Sequence, residues 1–143
     1  MTGGRRPGVA ARRSTSVVAI LALVAFAMSV AACATPPPAA QVVTFQVADG
    51  SRYKVLVTDP ADLDTVQALA DGEDAPSIPN GLIVRDTGVN TGWSWSLDPA
   101  DFTFVDVVDG SCDGVPQDVE DGTHESDRFC PWSAIVVAME PAP

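Results

Sequence analysis

The fold is decided by residues 42–58, which read VVTFQVADGSRYKVLVT. Apolar and polar residues alternate on both sides of Asp49-Gly50, with Val43, Phe45 and Val47 before it. Tyr53, Val55 and Val57 follow it with the same spacing. An alternating pattern around Asp-Gly is typical of two antiparallel strands joined by a two-residue turn. The segment therefore predicts a β-hairpin with one apolar face.

A helix is predicted directly after this hairpin, over about residues 60–71. Asp59 can accept hydrogen bonds as the N-cap, and Pro60 suits the first helical position. Gly72 is a suitable residue to end the helix. One apolar stripe at helical spacing would pack on the sheet; it consists of Leu63, Val66, Leu69 and Ala70.

The rest of the chain favours further strands. We expect strands at 82–85, 93–97, 102–108 and 135–139, a turn at Asn80-Gly81, and a short helix near 116–121. The phrase Asp-Pro-Ala-Asp occurs at 59–62 and again at 98–101, which indicates a shared turn. Together these elements predict an α+β domain with a small antiparallel β-sheet and one packed helix.

The N-terminal segment has the features of a secretory signal. Four arginines and no acidic residue precede a 16-residue stretch, 17–32, whose only polar residue is Ser29. A spanning helix needs about 20 apolar residues, so this stretch better fits a signal-peptide core. It ends in Val30-Ala31-Ala32-Cys33, which resembles the cleavage box of bacterial lipoproteins. The alternatives are a plain secretory signal cut elsewhere and an uncleaved anchor.

The lipoprotein resemblance implies an address and a division of the chain. Residues 1–32 would be the signal peptide, 33–41 a Pro-rich tether, and 42–143 a single globular domain. Acyl chains such as palmitate on Cys33 would anchor the protein to the cell membrane, facing the extracytoplasmic side; two or more chains hold a protein stably.

The charge of the segment after residue 32 excludes one class of partner. It contains all 19 acidic residues and only four basic ones, for a formal net charge of −15. Such a domain repels nucleic acid and anionic headgroups. A basic or peptide partner fits better, and self-repulsion that favours solubility is the simpler interpretation of the charge.

The cysteine count predicts a disulfide. With Cys33 lipidated, Cys112 and Cys130 remain as an even pair in an oxidising compartment. The bridge would stabilise the fold by about 3 kcal/mol. These two cysteines and the single histidine, His124, do not form a zinc pattern, so no cofactor is expected.

The tryptophans leave two interpretations open. Trp93 and Trp95 could form a ligand-stacking surface if they are exposed, but aromatic residues on one face of a strand usually pack inward. We expect them in the core, with Trp132 supporting the Cys112–Cys130 bridge.

Two further functions are weighed against a binding role. A calcium-stabilised structural module would use hard oxygen ligands from the acidic region 106–127, which contains Asp106, Asp109, Asp113, Asp118, Glu120, Asp121, Glu125 and Asp127. A carboxylate-dependent hydrolase would need a cleft in which two or more carboxylates converge with His124.

Four short motifs carry a family resemblance: 92–99 (GWSWSLDP), Phe102-x-Phe104, Cys112-Asp113 and 129–133 (FCPWS). Together they resemble a family of small secreted domains of bacteria and amoebae that are labelled calmodulin-binding-protein-like. The resemblance covers about residues 42–139 and implies no established activity. The sequence therefore predicts a non-catalytic, lipid-anchored binding or interaction domain whose ligand is not indicated.

Overall fold

A computed structural model of the protein describes residues 40–143. The predicted signal peptide 1–32, Cys33 and most of the predicted tether lie outside the described residues. The elements, in chain order, are β1 (Gln41–Gln46), β2 (Arg52–Val57), α1 (Pro60–Ala70), β3 (Ile78–Val84), β4 (Ser96–Leu97), β5 (Thr103–Val105), α2 (Pro116–Asp121), β6 (Arg128–Phe129) and β7 (Ile135–Pro141). Gln41 belongs to β1, so the predicted tether overlaps the first strand by one residue.

The first sheet is antiparallel, with the order β2-β1-β7. The predicted hairpin supplies β1 and β2, and Phe45 lies opposite Tyr53 in the register. The turn is longer than predicted, because the amide of Val47 donates to the carbonyl of Ser51 over 3.0 Å. Gly50 adopts a φ of 85° just before Ser51. The connection is therefore a three-residue loop that ends in a left-handed glycine.

Helix α1 begins as the sequence predicts. The Asp59 carboxylate accepts a hydrogen bond of 2.8 Å from the amide of Ala61, and Pro60 is the first helical residue. Leu63 and Val66 are buried against the sheet. The helix ends at Ala70, one residue before the predicted end, and Gly72 follows with a φ of 76° that suits a C-terminal glycine.

The second sheet is built around β3, which pairs antiparallel with β4, β5 and β6. The prediction of a turn at Asn80-Gly81 is wrong, because Asn80 pairs with Thr103 and Gly81 pairs with Phe129. A Cβ at Gly81 would lie 3.3 Å from the Cβ of Leu97. The glycine therefore permits close approach inside the sheet and does not form a turn.

The α+β class is confirmed, with two antiparallel sheets where one was expected. The strands predicted at 93–97 and 102–108 shrink to the two residues of β4 and the three of β5. The short helix predicted near 116–121 is α2. Neither helix of residues 40–143 has the length and hydropathy needed to cross a bilayer.

Aromatic rings fill the space between the two sheets. Tyr53 lies 5.3 Å from Phe129 and 6.1 Å from Trp95, measured between ring centroids. All three are at most 1% exposed. The Tyr53 hydroxyl and the Trp95 indole nitrogen are both buried without a hydrogen-bond partner. Burial also raises the pKa of Tyr53 well above its ordinary value.

Replacing Tyr53 with phenylalanine is expected to raise the free energy of unfolding by up to about 1 kcal/mol. The ring contacts remain, and a buried hydroxyl without a partner disappears. Urea denaturation of the two proteins measures the difference. A loss of more than about 1 kcal/mol would contradict the expectation and show that a buried water satisfies the hydroxyl.

Candidate functional site

Trp93 and Trp95 occupy structural positions beside the first sheet. Trp95 is 0% exposed and packs in the core, so it cannot contact a ligand in this conformation. Trp93 is half-buried, and its indole N–H donates to the carbonyl of Arg52 over 2.8 Å. The Asn90 side chain accepts from the amide of Lys54 over 2.7 Å. Asn90 and Trp93 therefore satisfy backbone groups on the outer edge of β2.

The predicted disulfide between Cys112 and Cys130 is confirmed. Their Cα atoms are 5.1 Å apart, and the two residues are 5% and 0% exposed. The amide of Cys130 also donates to the carbonyl of Cys112 over 2.8 Å. The bridge is thus a buried structural link between the loop before α2 and strand β6.

Trp132 does not lie in the core, and that expectation is wrong. It is 54% exposed, and its ring rests against Gly110, at 3.4 Å from the position of a Cβ there. Ile135 and Val137 are 58% and 38% exposed. We call residues 132–137 the exposed apolar segment. Exposed tryptophan and isoleucine so close together are typical of an interaction surface.

This segment starts at the end of the first sheet that is farthest from the N-terminal end of the domain. Ala40 accepts a hydrogen bond from the amide of Ala142, whereas Ile135 lies opposite Gln46, the last residue of β1. Six residues of strand separate the two ends by about 20 Å at about 3.3 Å per residue. Trp132 therefore lies far from the point where the N-terminal segment joins the domain.

Acidic groups lie close to Trp132. The backbone amide of Trp132 donates to the Asp113 carboxylate over 3.0 Å. Asp109 precedes Gly110, the residue against which the indole packs. A cation beside an exposed indole gains from the ring face as well as from nearby carboxylates. The surroundings of Trp132 thus favour a positively charged ligand.

The carboxylates proposed as calcium ligands make hydrogen bonds within the protein. Asp109 accepts from Ser111, and Glu120 accepts from Ser94. Asp118 accepts from the amide of Val115, and Asp121 accepts from Gln117. In the described part of the chain, no three His, Cys, Asp or Glu side chains come together in a way that could hold a metal ion.

The two Asp-Pro-Ala-Asp motifs meet in an open cleft of about 590 Å³. They make the same turn, since Asp59 and Asp98 each accept from the amide two residues later. The fourth aspartate of each motif then joins two elements. Asp62 accepts from the Thr103 hydroxyl over 3.1 Å, and Asp101 pairs with Arg128 over 2.7 Å. The cleft carboxylates therefore have structural partners.

His124 lies elsewhere and does not line this cleft. Its Nε2 is 2.7 Å from the carbonyl of Arg128, and its ring meets Phe129 edge-on at 5.7 Å. The arrangement that a hydrolase would need, carboxylates together with His124, is not formed in the cleft.

A family model described as the BP-74 N-terminal domain matches residues 39–143. The chain belongs to this family. No curated protein and no solved structure matches it. The match covers the whole of the two sheets and both helices of the family domain described above.

Sequence reasoning missed the exposed apolar segment of this family domain, although a signal was present. Residues 135–139 are five consecutive apolar residues, and a strand with one buried face has room for only half of them inside. Such a run therefore predicts some exposed apolar side chains. Which of them are exposed depends on the register of β7.

Replacing Asp62 of the family domain with asparagine is expected to stabilise it at neutral pH. Burial raises the pKa of the Asp62 carboxyl above its ordinary value of 3.8, against the hydrogen bonds from Thr103 and Phe104 that lower it. A raised pKa gives stability that is full below the ordinary value and is lost as the pH rises through the folded value. Asparagine keeps an acceptor oxygen and does not titrate.

Melting temperatures between pH 3 and pH 8, a range set by the ordinary aspartate pKa of about 4, test this. The gain from Asp62→Asn should shrink as the pH falls. The control is Asp64→Asn, which makes the same charge change at an exposed position of α1. An equal gain at all pH values would refute the role assigned to Asp62.

Proposed function

We propose that this protein is a lipid-anchored extracytoplasmic binding domain without catalytic activity, which presents the exposed apolar segment to a basic or peptide partner. The observation that carries the proposal is the exposure of Trp132 and Ile135, at 54% and 58%, on the surface of an acidic domain. Large apolar side chains are costly to leave in water unless a partner covers them.

The location of this segment supports an anchored role. The proposed acyl chains on Cys33 would hold the domain by its N-terminal end, beside Ala40. Trp132 would then point away from the bilayer, where a partner can reach it. The Pro-rich tether proposed before β1 would add further distance, because proline-rich segments are extended.

Charge supports the choice of partner. The domain from residue 33 onward has a formal net charge of −15. Long-range attraction therefore favours cationic partners and opposes nucleic acid and anionic lipid surfaces. The resemblance to calmodulin-binding-protein-like domains remains a prediction and adds no partner, since the targets of calmodulin are basic amphipathic helices.

Quenching of tryptophan fluorescence tests both the anchor and the orientation. The lipidated protein, reconstituted in vesicles of brominated lipid, is expected to be quenched by acrylamide and little by the bromine atoms. Trp132→Phe should remove most of the acrylamide-sensitive emission, because Trp95 is buried and Trp93 is half-buried. Cys33→Ser should leave the protein off the vesicles, since the acyl chains hold it there.

Two results would overturn the proposal. Strong quenching of Trp132 by brominated acyl chains would show that the apolar segment inserts into the membrane. Full retention of the Cys33→Ser protein on vesicles would show that the anchor lies elsewhere.

A further inference from the structure

The two edges of the first sheet differ in how their backbone groups are satisfied. On the β2 edge, Asn90 accepts from the amide of Lys54, and Trp93 donates to the carbonyl of Arg52. These side chains take the place of a neighbouring strand. On the β7 edge, no further strand pairs with β7 among residues 40–143. Since every second residue of an edge strand directs its N–H and C=O outward, β7 offers unpaired backbone groups.

A bulge determines which side chains of β7 are exposed. Phe45 pairs with Val136 and Thr44 with Ala138, so Val137 is an extra residue without an opposite partner. This shift lets both Val136 and Met139 pack against the core. Val137 and Ile135 remain exposed. Glu140 and Pro141 protect the far end of the strand from uncontrolled pairing. The accessible part of the edge is therefore its beginning, next to Trp132.

A small apolar hollow lies beside this part of β7. It has a volume of about 130 Å³ and is lined by Phe45, Leu69, Ser77, Ala134, Ile135 and Val136. All of these side chains except that of Ser77 are apolar, so the hollow suits one aliphatic side chain. Peptides that add a strand to a sheet edge gain affinity from main-chain hydrogen bonds and specificity from such side-chain pockets.

Charge decides which occupant fits this edge. The loop that joins Leu69 to Ser77 contains Asp71, Glu73 and Asp74, all exposed. Asp113 lies beside Trp132 at the same end of the strand. A second copy of the domain would bring another net charge of −15 to this surface and be repelled. A basic chain would be attracted.

We infer that β7 binds an extended basic segment of another protein by strand addition, with one aliphatic side chain in the hollow and a cationic side chain near Trp132. This inference rests on the proposed function and specifies how the partner is bound. Backbone pairing with β7 is what distinguishes it from contact with Trp132 alone.

The experiment uses a nine-residue peptide that alternates valine and arginine, titrated into the full protein and followed by Trp132 fluorescence. A second peptide carries N-methyl groups on alternate residues, which removes its N–H donors on one edge and leaves its charge unchanged. We expect the methylated peptide and the Val137→Lys protein each to reduce affinity by about tenfold or more. Val107→Lys, the same substitution at an exposed valine outside β7, should change affinity by less than about twofold.

The outcomes separate this inference from the proposed function. If methylation and Val137→Lys have no effect while Trp132→Phe abolishes the signal and Trp132→Ala weakens calorimetric binding, strand addition is wrong and binding at the apolar segment stands. If neither peptide binds in calorimetry, both proposals fail. If the protein alone dimerises and Val137→Lys dissociates the dimer, the occupant is a second copy and the inference is overturned. Slower amide exchange in β7 upon binding would support it independently of any variant.

Discussion

Replacing Asn90 with alanine is expected to lower the free energy of unfolding by about 3 kcal/mol. Asn90 is 0% exposed. Its side chain accepts from the amide of Lys54 over 2.7 Å and donates to the carbonyl of Trp95 over 2.9 Å. Truncation leaves both backbone groups without a partner, and each buried orphan costs roughly 1–3 kcal/mol.

Urea denaturation of the wild type and the variant measures this loss. Thr91→Ala is the matched control, because Thr91 is the exposed neighbour of Asn90 on the same loop. Surface substitutions of this kind change stability by less than about 0.5 kcal/mol. A loss below about 1 kcal/mol in Asn90→Ala would mean that water reaches the β2 edge, and the covering role of Asn90 would be refuted.

The double substitution Cys112→Ala and Cys130→Ala is expected to lower the free energy of unfolding by about 3 kcal/mol, by removing a cross-link that restrains the unfolded chain. The two cysteines are 18 residues apart in sequence. Because the bridge also holds the loop that supports Gly110 and Trp132, we expect the fluorescence of Trp132 to shift as well.

Reduction provides the control for this substitution. A strong reductant should destabilise the wild type by a similar amount and leave the double variant unchanged. If the variant were as stable as the oxidised wild type, the bridge would have no role in stability. If reductant destabilised the variant further, the effect would have another source.

Both predictions concern residues that the sequence treats very differently. The disulfide followed from counting cysteines once Cys33 was assigned to lipid, and its geometry agrees. Asn90 lies in a polar loop, between Val89 and Thr91, where nothing in the local pattern distinguishes it from a solvated turn residue. Its importance comes from meeting a strand edge 36 residues earlier in the chain.

The same contrast holds along the strands. The hairpin of residues 42–58 and the helix beginning at Pro60 were predictable, because alternation, N-capping and helix ends are properties of neighbouring residues. Asn80-Gly81 has the composition of a turn, yet it lies inside β3 because Leu97 and Phe102 need close approach at Gly81. Sequence composition alone does not distinguish these two uses of glycine.

The sequence by itself determined the hairpin, both helices, the α+β class and the pairing of Cys112 with Cys130. These depend on local periodicity and on the number of cysteines available. Only the tertiary structure decided which tryptophan is buried, which sheet edge is covered, and which residues of 135–139 face outward. Those outcomes depend on strand register and long-range packing, where the one extra residue of a bulge at Val137 determines which side chains face solvent.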